Sequence, residues 1–140
     1  MGRIVQCFLP FVPPKVTHND LEAYVYWRND KPVAGIRKSD RLKAAEDMMR
    51  PYVERLGRMA GGIPLRRCEQ TVKICWPTGG RHEQGELCDE PPDYDNWVKT
   101  FNDLCQDCGV IINDCYIAIA HVSKVWADPA GVFVRFREVP

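Results

Sequence analysis

The sequence predicts a single α+β domain over residues 1–140, with a mixed β-sheet and two principal helices. Its length of 140 residues suits one domain, and no linker, repeat or low-complexity tract divides it. With 45% hydrophobic and 27% charged residues, the composition is that of a globular domain with a packed core. Segments with the two-residue period of strands flank two segments with the period of an amphipathic helix.

The N-terminal half is predicted to hold a strand, a hairpin and a long helix. Residues 3–9 alternate weakly and precede three prolines, which predicts a first strand that stops there. Residues 22–27 are rich in β-formers, and the turn residues Asn29 and Asp30 predict a hairpin that returns to Val33. Ser39 or Asp40 can cap a helix that runs to about Met59. Pro51 lies inside that helix and predicts a kink or a split.

The C-terminal half is predicted to contain a second helix among several strands. Residues 71–76 alternate as a half-exposed strand, and residues 78–92 read as a long loop. A helix begins near Asp95 and ends before Gly109, which suits the left-handed residue after a helix. The remaining segments are predicted to be a three-residue strand, a turn at Asn113-Asp114 and two longer strands, at residues 110–112, 116–126 and 132–139.

Charge is unevenly distributed, although the formal net charge is zero. Residues 28–67 contain eleven Lys or Arg and five Asp or Glu, whereas residues 83–107 contain eight acids and one base, Lys99. This division is typical of a protein that contacts phosphates with one surface and gathers carboxylates around a metal ion at another. A chance asymmetry of solvated surfaces is the alternative.

The cysteines and the N-terminus predict a cytoplasmic location without a membrane span. Seven cysteines are an odd number, which fits poorly with a fully paired disulfide framework. Residues 3–12 are too short and too mixed for a signal peptide or a transmembrane segment. Cys105 and Cys108 form a C-x-x-C pair, so a zinc-stabilised interaction module that also uses Cys88, His82 or Cys115 is one hypothesis. Packing of both cysteines in the core is the alternative.

Three aspartates are the candidate metal ligands. Asp93 and Asp95 lie at the start of the second helix, and a tight reversal at Gly109 would return the chain so that Asp114 approaches them. Oxygen ligands without histidine suit Mg²⁺ or Mn²⁺. Lys99 follows Asp95 by four residues and could pair with the carboxylates or contact a phosphate. Helix capping, an ordinary ion pair and a common turn sequence explain the same residues separately.

Taken together, residues 93–99 read D-x-D-N-x-x-K, and an aspartate follows about twenty residues later. This pattern resembles the signature of the RusA-like Holliday junction resolvases, clearly over residues 93–139 and faintly over residues 8–14. The resemblance implies a RusA-like fold in which Asp93, Asp95 and Asp114 bind the catalytic Mg²⁺ and Lys99 assists cleavage. Asn96 also matches the motif, and only a supporting role in the site is expected for it. Pro92 departs from the family, whose members often carry a basic residue there, and so does the neutral net charge.

The resemblance also implies a partner and an activity. The expected protein is a homodimeric endodeoxyribonuclease that nicks opposed strands of four-way DNA junctions in recombination and repair, as in a prophage resolvase. A junction-binding protein of the same fold that cleaves weakly or not at all is the alternative. Lys38, Arg41 and Lys99 are the candidate DNA contacts, with a solvated helix start as the other reading of the first two.

Overall fold

The computed structural model describes residues 2–140, which form one five-stranded sheet, a separate two-stranded hairpin and two helices. The predicted α+β class, with a mixed sheet and two principal helices, is confirmed. A single turn of 3-10 helix at Asp114–Tyr116 completes the regular structure. The strands and helices in chain order are β1 Ile4–Leu9, β2 Leu21–Arg28, β3 Lys31–Lys38, α1 Asp40–Met59, β4 Cys68–Trp76, β5 Glu86–Leu87, α2 Tyr94–Asp107, β6 Ile117–Trp126 and β7 Gly131–Glu138.

The large sheet has the strand order β1-β7-β4-β6-β5. Strands β4 and β6 run parallel, and the other neighbouring pairs are antiparallel. Although β6 and β7 follow one another in the chain, β4 lies between them, so that Val72 of β4 pairs with Val122 on one side and Val134 on the other. The sheet is therefore mixed because its C-terminal strands flank an earlier one.

One face of the sheet is covered by both helices. Along β4 the side chains alternate, so that Gln70, Val72 and Ile74 are fully buried while Lys73 is exposed. The buried face shares one hydrophobic core with the apolar sides of the helices, including Val53 of α1 and Phe101 of α2. Burial of this face is the main term that stabilises the fold.

Helix α1 is continuous through Pro51, so of the predicted kink or split the split is wrong. Its start is the one expected, because the Ser39 hydroxyl accepts a hydrogen bond from the backbone N–H of Leu42 at 3.1 Å. Pro51 removes a single backbone donor and lies on the exposed side of the helix. Asp47, whose carbonyl loses its donor, is also exposed, so water can replace the missing bond. The helix can therefore tolerate this proline without ending.

Gly57 of α1 lies against the backbone at the end of α2. A Cβ atom at this position would lie 2.1 Å from the carbonyl oxygen of Cys108, just after α2. Such a contact is impossible without moving the backbone of one helix. Glycine is thus required here for space, and not for a special backbone angle.

We expect Gly57→Ala to destabilise the protein by about 1–3 kcal/mol, because the added methyl group overpacks this crossing. The sign is opposite to that of an ordinary helix position, where the same change stabilises by about 1 kcal/mol. Urea unfolding followed by circular dichroism measures the difference. Arg55→Ala, at an exposed position of the same helix, is the control and should change stability by less than about 0.5 kcal/mol. A Gly57→Ala protein as stable as its parent would contradict the close crossing.

The predicted strand at residues 110–112 is wrong. Only an isolated bridge forms there, between Ile111 and Leu65. The N–H of Val110 still bonds to the carbonyl of Cys105 in α2, so the chain is leaving the helix at this point. Val110 and Ile111 are apolar because they lie in the core, and not because they belong to a sheet.

The hairpin and the long loop follow the predictions with one addition. Strands β2 and β3 pair over their whole length, and Asn29 and Asp30 form the turn with positive φ angles of 51° and 63°. Residues 78–92 are mostly irregular, as expected, but Glu86–Leu87 forms the short strand β5 on the edge of β6. Within residues 2–140, the helices are too short or too polar to cross a membrane.

Candidate functional site

Asp93 and Asp95 hold their carboxylates free of the helix that they begin. Asp93 is the N-cap residue of α2, yet its side chain accepts no capping hydrogen bond from the backbone. Its carboxylate has only a long contact, 3.5 Å, with the amide nitrogen of Asn96. Asp95 lies in the first helical turn, and no side chain of residues 2–140 donates a hydrogen bond to it. Capping therefore does not account for the Asp93 side chain, and both carboxylates are available to a ligand.

Lys99 pairs with two other aspartates and not with Asp95. Its ammonium lies 2.7 Å from a carboxylate oxygen of Asp114 and 3.1 Å from one of Asp103. These two partners raise the pKa of Lys99, the hydrogen bond to Asp114 having the larger effect. Lys99 is thus a protonated cation at neutral pH. Asp103 was not among the candidate site residues, although its spacing of four residues from Lys99 was a visible signal.

Asp114 is positioned by the end of α2. It begins the 3-10 turn that follows Asn113, whose side chain accepts a hydrogen bond from the N–H of Cys115 at 3.0 Å. The backbone N–H of Asp114 donates to the side-chain oxygen of Gln106 at 3.2 Å. The turn is therefore tied to the last helical turn, and the Asp114 carboxylate points back to Lys99 in the middle of α2.

Two neighbouring cavities meet at Asp95. The larger, of about 640 Å³, is lined by Asp93 and Asp95 together with Ser123 and Lys124 of β6. The smaller, of about 310 Å³, is lined by Asp95, Lys99 and Asp114, and its wall includes Gln70 and Asn102. Tyr94, Asp95 and Val122 border both cavities. The four candidate catalytic residues thus surround a continuous surface with Asp95 at its centre.

The three aspartates do not form one compact cluster. Within residues 2–140, no group of three His, Cys, Asp or Glu side chains lies close enough to hold a metal ion. Asp93 and Asp95 share the larger cavity, whereas Asp114 borders the smaller one and is engaged by Lys99. The donors nevertheless fit Mg²⁺ chemically, because they are carboxylate oxygens and no histidine lines either cavity. While Lys99 is paired with Asp114, Asp93 and Asp95 are the two carboxylates that remain available to such an ion.

Lys124 fixes the loop that leads to Asp93. Its ammonium donates to the backbone carbonyls of Glu90 and Pro92, at 2.6 Å and 2.7 Å. These carbonyls belong to the irregular segment immediately before α2, so strand β6 determines where the helix begins. Nothing in the local sequence pointed to Lys124, because its partners are backbone atoms more than thirty residues away in the chain.

A buried amide pair lies behind the smaller cavity. The side-chain nitrogen of Gln70 in β4 donates to the side-chain oxygen of Asn102 in α2 at 2.6 Å. Gln70 has no exposed surface, and its carbonyl oxygen has no hydrogen-bond partner among residues 2–140. An unpaired buried oxygen is unfavourable for folding. The buried amide pair therefore lowers the stability of the fold, and it lies beside Lys99, Asp95 and Asp114.

We expect Asn102→Ala to lower the free energy of unfolding by about 1–3 kcal/mol, because it leaves both polar ends of Gln70 buried without partners. Replacing both amides, as Gln70→Leu with Asn102→Leu, should keep stability within about 1 kcal/mol of the parent or increase it. Urea unfolding of the parent, of Asn102→Ala and of the double variant tests both statements. A double variant as unstable as Asn102→Ala would show that burying the amide pair does not lower the free energy of unfolding.

The candidate DNA contacts Lys38 and Arg41 lie at the base of the hairpin. Lys38 pairs with Glu46 at 2.9 Å, and Arg41 forms an ion pair with Asp20. Both basic side chains are more than half exposed. The segment before the hairpin touches α2, since the N–H of His18 donates to the hydroxyl of Thr100 at 2.7 Å. This contact joins the hairpin base to the helix that bears Asp95 and Lys99.

The cysteines occupy separate environments. All seven are free thiols, and the structure gathers no set of zinc ligands around Cys105 and Cys108 within residues 2–140. Cys105 is fully buried in the core, and Cys108 is half-buried at the end of α2. Burial raises the pKa of Cys105 well above its ordinary value, and that of Cys68 to about 11. The buried thiols thus behave as small hydrophobic side chains.

No protein-family model matches the chain, and no curated protein matches it.

Proposed function

We propose that the chain is a Mg²⁺-dependent, structure-selective endodeoxyribonuclease that resolves four-way DNA junctions, like the RusA-like resolvases that it resembles in sequence. The observation that carries this proposal is the position of Asp95. It shares one cavity with Asp93 and the neighbouring cavity with Lys99 and Asp114. Residues of the motif that are up to 21 positions apart in the chain therefore border one surface.

The acidic residues would hold the metal ion. Asp93 and Asp95 would bind Mg²⁺ in the larger cavity, with Asp114 as a further ligand once its carboxylate is free of Lys99. The ion, when bound, supplies Lewis-acid polarisation of the scissile phosphate and activates water for attack. The remaining steps depend on the side chains of the protein.

Lys99 would stabilise the negative charge that develops on the phosphate. A lysine ammonium is protonated at neutral pH even without these partners, so Lys99 can donate a hydrogen bond to a phosphate oxygen throughout the reaction. To reach the phosphate, Lys99 must break its ion pair with Asp114 or Asp103 and form one with the substrate. Because both ion pairs are at the surface, where such pairs contribute little stability, this exchange requires little free energy.

The proposed setting is a homodimer acting on branched DNA in the cytoplasm, in recombination and repair. Two active sites in one particle would allow paired nicks on opposed strands. Lys38 and Arg41, at the base of the hairpin next to α2, would contact backbone phosphates together with Lys99. The seven unpaired cysteines fit a reducing compartment.

A junction-binding protein with weak or no cleavage is the second candidate. One observation favours it: Lys99 engages Asp114, so the three aspartates are not assembled as one ligand set. This candidate and the nuclease share the fold and the DNA partner, and they differ only in whether strands are cut.

Incubation with a synthetic four-way junction distinguishes the candidates. The purified protein is mixed with a labelled junction, with Mg²⁺ or with EDTA, beside linear duplexes of the same arm sequences. The nuclease predicts paired nicks in the junction only with Mg²⁺, seen on denaturing gels, and intact duplexes. Binding without nicks at any Mg²⁺ or Mn²⁺ concentration would support the second candidate. Neither binding nor cleavage would refute both.

A further inference from the structure

The β2–β3 hairpin projects from the domain as a separate unit. Its strands pair only with each other and contribute no residue to the hydrophobic core. It is attached at its base, where the N–H of Ser39 donates to the carbonyl of Asp20 and Lys38 pairs with Glu46. An isolated two-stranded hairpin is only marginally stable in water. A hairpin that projects in this way needs a surface to cover it.

The two faces of the hairpin differ in chemistry. Residues that pair across the strands share a face, so Trp27 and Pro32 lie on one face while Arg28 and Lys31 lie on the other. The first face, here named the apolar hairpin face, consists of Leu21, Val25, Trp27 and Ile36 with Ala23 and Ala34 between them. The opposite face carries Arg28 and Lys31, the ion pair of Arg37 with Glu22, and the stacked rings of Tyr24 and Tyr26.

The apolar hairpin face is strongly exposed. Val25 is 66% exposed, and Trp27 and Ile36 are each 72% exposed. Its accessible area is on the order of 500 Å² per chain, near the upper end of apolar patches on monomeric proteins. Lys38, at the base of the hairpin, is the one charged residue on this side. A large exposed apolar patch of this kind marks an interface.

We propose that the apolar hairpin face is the surface through which two copies of this chain associate. Nucleic acid is a poor occupant, because phosphate recognition needs cationic groups and, apart from Lys38 at the base, those of the two strands lie on the opposite face of the hairpin. A second copy is a suitable occupant, because a face that is apolar except for Lys38 at its base can pack against itself in a two-fold contact. Such a contact would bury on the order of 1,000 Å² in total, which is near the lower limit for a specific interface.

The middle of the face suits a two-fold arrangement. Val25 and Ala34 pair with each other about midway between the tip and the base of the hairpin. A two-fold axis near these residues would bring the tip of one copy to the base of the other.

This inference rests on the homodimer of the proposed function and assigns its surface. Because His18, next to the hairpin base, is hydrogen-bonded to Thr100 and to the carbonyl of Asn96, the hairpin contact would also fix the distance between two copies of helix α2. The basic face, with Arg28, Lys31 and Arg37, would remain free on the outside of the dimer for DNA.

Mass measurement of the full chain tests the proposal without DNA or Mg²⁺. The parent protein is expected to have twice the 16.1 kDa mass of one chain in sedimentation equilibrium at micromolar concentrations. Val25→Lys places a charge near the axis and is expected to raise the dissociation constant at least about 100-fold. Tyr26→Lys places the same charge on the opposite face and is the matched control, expected to leave association unchanged.

A mixing experiment distinguishes a variant that has lost association from one that has misfolded. Val25→Lys and Val25→Glu are each expected to be monomeric, and an equimolar mixture is expected to regain the dimer mass because opposite charges then meet near the axis. Fluorescence gives a second readout, because Trp27 is the exposed tryptophan while Trp76, Trp97 and Trp126 are buried. Association should protect Trp27 from acrylamide quenching in the parent and not in Val25→Lys.

A parent protein that stays monomeric at every concentration would overturn the proposal, as would a Val25→Lys variant that associates like the parent. Weaker junction binding by Val25→Lys, with a monomeric parent, would indicate that DNA covers this face and would also overturn it. A dimer that depends on Val25 but cuts no junction would uphold this inference while refuting the proposed nuclease.

Discussion

Asp95→Asn is expected to lower Mg²⁺-dependent cleavage of a four-way junction at least about 100-fold, with junction affinity within about threefold of the parent. Asp95 borders both cavities of the site, so neutralising it removes an anionic ligand from the centre of the proposed catalytic surface. The amide keeps the size and shape of the side chain, and Asp95 is exposed, with no side chain of residues 2–140 donating a hydrogen bond to it. Single-turnover cleavage rates and gel-shift titrations in Ca²⁺ measure the two quantities.

Asp107→Asn is the matched control for this prediction. Asp107 is exposed at the opposite end of the same helix and lines neither cavity. The same chemical change there should alter the cleavage rate by less than about twofold. Should Asp95→Asn cut as fast as its parent, Asp95 would have no part in the mechanism. Loss of binding together with cleavage would assign Asp95 to substrate recognition or to folding.

Trp97→Ala is expected to lower the free energy of unfolding by about 3–5 kcal/mol, the largest stability effect expected here. Its ring is 1% exposed and stacks on Phe101, with 5.4 Å between ring centroids. Its indole N–H donates to the carbonyl of Pro14 at 3.0 Å, which ties the proline segment after β1 to helix α2. The substitution therefore creates a cavity and leaves a polar group without its partner.

Tyr94→Ala is the control for this effect, because it makes a similar truncation three residues earlier on the same helix. Tyr94 is 59% exposed, and its removal should change stability by less than about 1 kcal/mol. Guanidinium unfolding followed by circular dichroism gives both values. Equal losses in the two variants would mean that Trp97 does not anchor the helix to the core.

Much of the secondary structure could be predicted because its causes are local. Ser39 caps α1 with its own side chain, and the turn residues Asn29 and Asp30 adopt the positive φ angles that close a hairpin. The apolar spacing of α2 located Trp97, Phe101 and Leu104 in the core before any contact was known. These features depend on residues within a few positions of one another.

The wrong predictions have a common cause. An apolar run at Val110 and Ile111 looked like a strand, although its burial comes from packing against residues far away in the sequence. Pro51 looked like a helix breaker, but packing of Met49 and Val53 on the core keeps the helix intact around it. In both cases tertiary packing outweighed the local signal.

The candidate site was visible in the sequence as a set of residue types, but its pairings were not. The motif identified Asp93, Asp95, Lys99 and Asp114, and its spacing suggested Asp95 as the partner of Lys99. The structure pairs Lys99 with Asp114 and Asp103 instead. Which carboxylate lies within reach depends on how the chain returns after α2, and this is set by the bond from Asp114 to Gln106.

The sequence by itself determined the α+β class, the ends of both helices, the hairpin turn and the acidic residues of the site, because periodicity, caps and turns act over short stretches of chain. Only the tertiary structure decided that β4 lies between β6 and β7, that Gln70 is buried against Asn102, and that one face of the hairpin is left uncovered. These features depend on contacts between distant residues, whose free energies are settled only when the whole core packs at once.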